Sequence, residues 1–155
     1  MISFKNAAAA GAALAMLALP TTAQAGAGDD AEALRKLDIM LMVTSLRCRT
    51  TADNFQADYH RFSSNNLTAL NAAARALQAG MVKKAGPGGA KKALDKISVG
   101  MANEYGRGHP WLGCGELKQI TRDLSTSKNS AQLAVAADEL LSSRPRGQWA
   151  MAGTR

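Results

Sequence analysis

Two cysteines, Cys48 and Cys114, and two histidines, His60 and His109, are the side chains of this sequence best suited to covalent or metal chemistry. The cysteines form neither a CxxC redox pair nor a CxxCH haem-attachment site. In an oxidising compartment they most simply form one disulfide. A catalytic thiol would need a base, and only His109 stands near Cys114 in the sequence. A metal would have to recruit the two histidines with Asp58, Glu104 or Glu116. No two of these show ligand spacing on one helical face, so neither a metal nor a cofactor is expected. Glu104 and Glu116 flank a glycine-rich loop and are the one carboxylate pair that could serve an envelope hydrolase. The plainer role for Glu116 is to complement the dipole at a helix start. Walker, HExxH, GxSxG and EF-hand patterns are absent. Gly26-Ala27-Gly28-Asp29-Asp30-Ala31 matches GxGxxA, but no strand precedes it, so it is no dinucleotide fingerprint.

The best-localised surface signal is basic. Lys83, Lys84, Lys91, Lys92 and Lys96 flank the turn Gly86-Pro87-Gly88-Gly89, and Asp95 is the only acid between Lys83 and Lys96. At the tip of a helical hairpin these lysines would face anionic lipid headgroups or lipopolysaccharide phosphates, at about 1 kcal/mol per lysine near a membrane. Otherwise they are a solvated helix end. Arg47 and Arg49 bracket Cys48, either as a second basic site or as cations at the negative end of a helix.

The first 25 residues read as a cleavable signal peptide. Lys5 is followed by an alanine-rich apolar stretch, Pro20 and the small-x-small site Ala23-Gln24-Ala25. The whole chain has 155 residues with 19 Lys and Arg against 12 Asp and Glu, a net charge of +7. Loss of Lys5 would leave 18 against 12, or +6. A basic periplasmic or secreted protein is expected to meet anionic lipid, lipopolysaccharide or another envelope protein before nucleic acid. The mature chain suits one domain over residues 26–143, with a loosely ordered tail over 144–155. No mature segment has the length of a transmembrane span.

The elements that must position these groups are helical. Leu34 to Cys48 is apolar nearly all round, which predicts a buried first helix started by Asp29 or Asp30, with Glu32 completing a capping box. From Thr51 as N-cap, a stripe of Phe55, Tyr59, Phe62, Leu70, Ala73, Leu77 and Met81 predicts one long second helix, bent if anywhere at Ser63-Ser64-Asn65-Asn66. Asn66 lies on that stripe and needs a hydrogen-bond partner if buried. After the Gly-Pro turn a third helix carries Ala90, Leu94, Ile97, Met101 and Tyr105 inward, with Gly100 a candidate close helix contact. His109, Pro110 and Trp111 then fall in a compact loop rich in glycine. A fourth helix buries Leu117, Ile120 and Leu124, and a fifth buries Leu133, Ala136, Ala137, Leu140 and Leu141.

The stretches LDIMLMVTSLRCRTTADNFQADY, ISVGMANEYG and GHPWLGCGELKQ resemble a group of small exported helical proteins of Gram-negative bacteria with one disulfide. That resemblance implies an all-α envelope protein and brings no catalytic residues. The expected fold is a compact bundle of four to five helices with one long second helix, stapled by one disulfide. The expected function is non-enzymatic binding at the envelope through the lysine-rich hairpin. The alternatives are a chaperone-like or inhibitor-like protein-binding module, and a hydrolase using Glu104 and Glu116.

Overall fold

In the computed structural model, residues 23–142 are described, with side chains from residue 28 onward. The expected cleaved leader lies almost wholly, and the expected tail wholly, outside that range. The described chain forms five helices and no strand: α1 (Ala23–Cys48), α2 (Gln56–Asn65), α3 (Leu67–Tyr105), α4 (Cys114–Thr126) and α5 (Ser130–Leu140).

α1 is the central rod. It runs through Asp29 and Asp30, so neither caps it as expected. Leu37, Met40 and Leu41 have no exposed surface, and Ile39 and Cys48 have almost none. Thr44 and Ser45 are buried among them because their hydroxyls donate to the Met40 and Met42 carbonyls, at 2.7 and 2.8 Å. This back-bonding removes the penalty of burying a free hydroxyl. The burial is not complete all round: Met42 and Leu46 lie on an open strip. Arg49 closes the helix electrostatically, donating from Nη1 to the Leu46 carbonyl at 3.2 Å.

Thr51 ends α1 and does not start α2. Its hydroxyl donates to the Cys48 carbonyl at 2.8 Å and accepts the Asp53 N–H at 3.2 Å. α2 begins five residues later, where Asn54 Oδ1 accepts the Gln56 N–H at 3.0 Å. Phe55 and Phe62 then drop fully into the core. Each contributes about 2–3 kcal/mol by burial.

The long apolar stripe is carried by two segments that meet at Asn66, with φ −108° and ψ 11°. Asn66 is buried and donates from Nδ2 to the Phe62 carbonyl at 3.0 Å. That bond supplies the partner its burial demands, and the backbone leaves helical geometry where it forms. Neighbouring Asn65 donates from Nδ2 to the Ser125 carbonyl at 2.7 Å, tying the end of α2 to the end of α4. Asp58, also buried, faces Arg61 at 3.7 Å and Arg122 of α4 at 3.6 Å. The 39 residues of α3 are themselves broken at Gly86, so no single long helix carries the stripe.

α4 and α5 carry their expected inward residues except Leu141, which caps α5 and is only partly buried. Leu117, Ile120 and Leu124 are buried on α4, and Leu133, Ala136, Ala137 and Leu140 on α5. Asn129 caps α5 by accepting the Ala131 N–H at 2.9 Å. Cys48 and Cys114 are bonded, their Cα atoms 5.8 Å apart, so the end of α1 is joined to the start of α4. Among the described residues no helix is long and apolar enough to cross a membrane.

Candidate functional site

The lysine-rich stretch lies at the point where α3 breaks. Gly86 has φ 68° and ψ 170°, a conformation open to glycine and unfavourable for other residues. Pro87 follows at the first helical position of the next limb, where its missing N–H costs nothing. α3 is therefore two limbs, residues 67–85 and 87–105.

Both limbs return to the same turns of α1. Ala69, Ala72, Ala73 and Ala76 share a groove with Asp30, Ala31 and Leu34. On the other limb Ser98 Oγ accepts from Arg35 Nη2 at 3.4 Å, and Glu104 pairs with Lys36 at 2.8 Å. Ala76 and Ser98 stand ten and twelve residues from Gly86. At 1.5 Å per residue the hairpin tip lies about 15–18 Å along the limbs from those contacts, and α1 itself continues from Asp30 back to Ala23.

Lys83, Lys84, Lys91, Lys92 and Lys96 are spread over this outer half, and all five are exposed. None makes an ion pair among the described residues. Asp95, also exposed, is the only acid among them. The limb is less regular than its apolar pattern suggests. Ala90, Met101 and Tyr105 are buried, yet Ile97 is 40% exposed. Gly100 marks no close contact either, since a Cβ built there would meet nothing within 4 Å.

The loop between α3 and α4 is a knot of specific bonds. His109 Nδ1 lies 3.4 Å from the Trp111 nitrogen and 3.2 Å from the Leu112 nitrogen. A backbone N–H only donates, so Nδ1 must be the acceptor. The proton then sits on Nε2, which donates to the Leu140 carbonyl at 2.8 Å. Trp111 Nε1 donates to the Ser142 carbonyl at 3.1 Å. Tyr105 stacks on the imidazole with centroids 6.0 Å apart, and the Trp111 ring meets it edge-on at 4.8 Å. Burial pushes the His109 pKa below its ordinary 6.5, against the Leu140 hydrogen bond and the negative charge of Glu116. Pro110 lies beside this knot, in the wall of a cleft of about 310 Å³ with Glu104, Tyr105, Gly108, Leu141 and Ser142.

The two acids considered for hydrolysis have separate structural partners. Glu116 Oε2 accepts the Gly113 N–H at 2.7 Å at the start of α4. Glu104 holds Lys36, whose ammonium lies 5.8 Å from the Tyr105 ring centroid. Among the described residues the cleft beside Glu104 has no second carboxylate in its lining. Among the described residues no three of His, Cys, Asp and Glu cluster closely enough to hold a metal.

One polar cluster was not evident in the sequence. Tyr59 Oη donates to Asp38 Oδ1 at 3.1 Å, and Arg35 Nη1 approaches Asp38 Oδ2 at 3.5 Å. Burial raises the Asp38 pKa, and the Tyr59 hydrogen bond and the Arg35 charge oppose that rise. Only the i, i+3 spacing of Arg35 and Asp38 hinted at it. Comparison with family models, curated proteins and solved structures finds no match for this chain. Among the described residues the chain is a disulfide-stapled bundle of five helices, with exposed lysines on both limbs of α3 around the Gly86 break.

Proposed function

We propose that this is an exported, non-enzymatic protein of the cell envelope that docks on an anionic surface through the outer half of the α3 hairpin. The observation that carries the reading is the set of five exposed lysines, free of ion pairs among the described residues and gathered round the Gly86 break. Exposed ammonium groups without ion pairs among the described residues are available to a partner. Each contributes about 1 kcal/mol near an anionic bilayer, so five set an upper limit of about 5 kcal/mol at low salt. The Debye length shortens as salt rises, and the attraction should fall with it.

The test is co-sedimentation of the mature oxidised protein with vesicles of anionic or neutral lipid, at low and at physiological salt. Binding to anionic vesicles alone, weakened by salt and lost when the five lysines become Gln, supports the reading. Absence of binding to anionic vesicles at low salt, or binding that survives the Gln changes, refutes it. A second reading, an apolar protein-binding face, is favoured by the shelf between α4 and α5, where Val135 is 69% exposed beside Leu124, Ala131 and Ala136. Binding through that shelf should change little with salt.

A further inference from the structure

We propose that His109 is an acid-sensitive latch, which fastens the loop between α3 and α4 to the C-terminal end of α5 while neutral and releases that end when it takes up a proton. The inference does not depend on the lysine hairpin.

The geometry allows one neutral tautomer, with the proton on Nε2 and the lone pair of Nδ1 shared by two backbone N–H groups. A second proton has to go on Nδ1. There it faces the Trp111 and Leu112 N–H groups, so two attractive contacts become repulsive ones. The ring can keep its bond to the Leu140 carbonyl only if Trp111 and Leu112 move away. Trp111 is itself bound to the Ser142 carbonyl. Movement of the loop therefore strains both of its attachments to the end of α5.

The other side of the loop is rigid. Leu112 is buried in the core, and Cys114 is bonded to Cys48. Strain is thus relieved at α5, which has no covalent tie to α1. The face freed by release carries Leu133, Ala136, Ala137 and Leu140, all buried in the closed state.

The charged groups around the ring come from every neighbouring element. Glu116 faces it from α4. Glu104 and Lys36 form an ion pair below the stacked Tyr105. The Arg47 side chain of α1 lies against Gly108. Asp138 and Glu139 share the last turn of α5 with Leu140. A variant lacking only the imidazole retains all of these and isolates its role.

The sign follows from linkage. A histidine held neutral by the fold has a folded pKa below 6.5, so the open form binds the extra proton more readily. Closure is favoured in full above about pH 6.5 and is lost progressively as pH falls from there through the folded pKa. One proton taken up on opening changes the closed-to-open ratio by at most about tenfold per pH unit.

Hydrogen exchange on the full oxidised chain, corrected for the intrinsic pH dependence of exchange, tests this between pH 7.5 and 5. Protection of residues 130–142 should fall relative to that of α2 and α4. His109→Asn retains an acceptor for the Trp111 and Leu112 N–H groups but cannot titrate, and should lose the pH response. His60→Asn should keep it. Nitrogen chemical shifts of His109 in the native protein should report the Nε2–H tautomer at neutral pH. The proposal is overturned by an Nδ1–H tautomer, by α5 protection that follows α2 and α4, or by an unchanged acid response in His109→Asn.

Discussion

Removing the Cys48–Cys114 bond should cost about 4 kcal/mol. The bond spans 66 residues, and the chain-entropy relation for a loop of that length gives roughly this value at 25 °C. The effect acts on the unfolded chain, because the folded chain holds the two ends together without it. Lys118 Nζ donates to the Ala52 carbonyl at 3.3 Å, and Gly115 lies close against Asp53. α4 thus stays beside the loop that follows α1 even when the sulfurs are unlinked.

A domain of this size has about 5–15 kcal/mol of stability, so the loss is a large fraction of the whole. With a urea dependence of about 2 kcal/mol/M, the midpoint should fall by about 2 M. The assay is urea unfolding followed by circular dichroism, on the oxidised protein and on a double Cys→Ala variant. A double Cys→Ser variant should lose somewhat more, because Cys48 is buried and a serine hydroxyl there needs a partner. A loss below about 1 kcal/mol in the alanine variant would refute the loop-closure reasoning and indicate that the unfolded chain already keeps these ends close.

Gly100→Ala should stabilise the protein by about 0.5–1 kcal/mol, because Gly100 is helical and exposed and a Cβ there meets nothing. A drop in the urea midpoint would mean that the second limb of α3 is packed at this position. Tyr59→Phe should raise the Asp38 pKa further, since it removes the hydrogen bond that favours the carboxylate. A carboxyl-carbon NMR titration reads this directly, and a downward shift would contradict the arrangement of the cluster.

α4 and α5 were legible because their information is local. Leu117, Ile120 and Leu124, and then Leu133, Ala136, Ala137 and Leu140, recur at helical spacing between clear stops, and each set is buried. The disulfide was legible because the chain has only two cysteines. The lysine cluster and the glycine beneath it were visible for the same reason, since a break at Gly86-Pro87 is a property of those residues.

The helix starts were not legible in this way. Asp29, Asp30 and Thr51 all have the chemistry of caps, yet a cap forms only where the chain turns, and packing decides that. Asn66 looked like a polar intrusion in a continuous stripe. Its buried bond to Phe62 and the hold of Asn65 on Ser125 made it a junction. The same limit applied to Met42, Leu46 and Ile97, which are apolar enough for a core and are left exposed by their neighbours.

The site divides along the same line. Five lysines beside a glycine-proline break are set by residue type, and the sequence alone determined them. That both limbs return to α1, that Glu104 and Glu116 have separate partners, and that His109 grips α5 were decided by tertiary structure. Each of these depends on an atom brought close by folding from a distant part of the chain, as the Leu140 carbonyl is brought to His109, and local spacing carries no information about such partners.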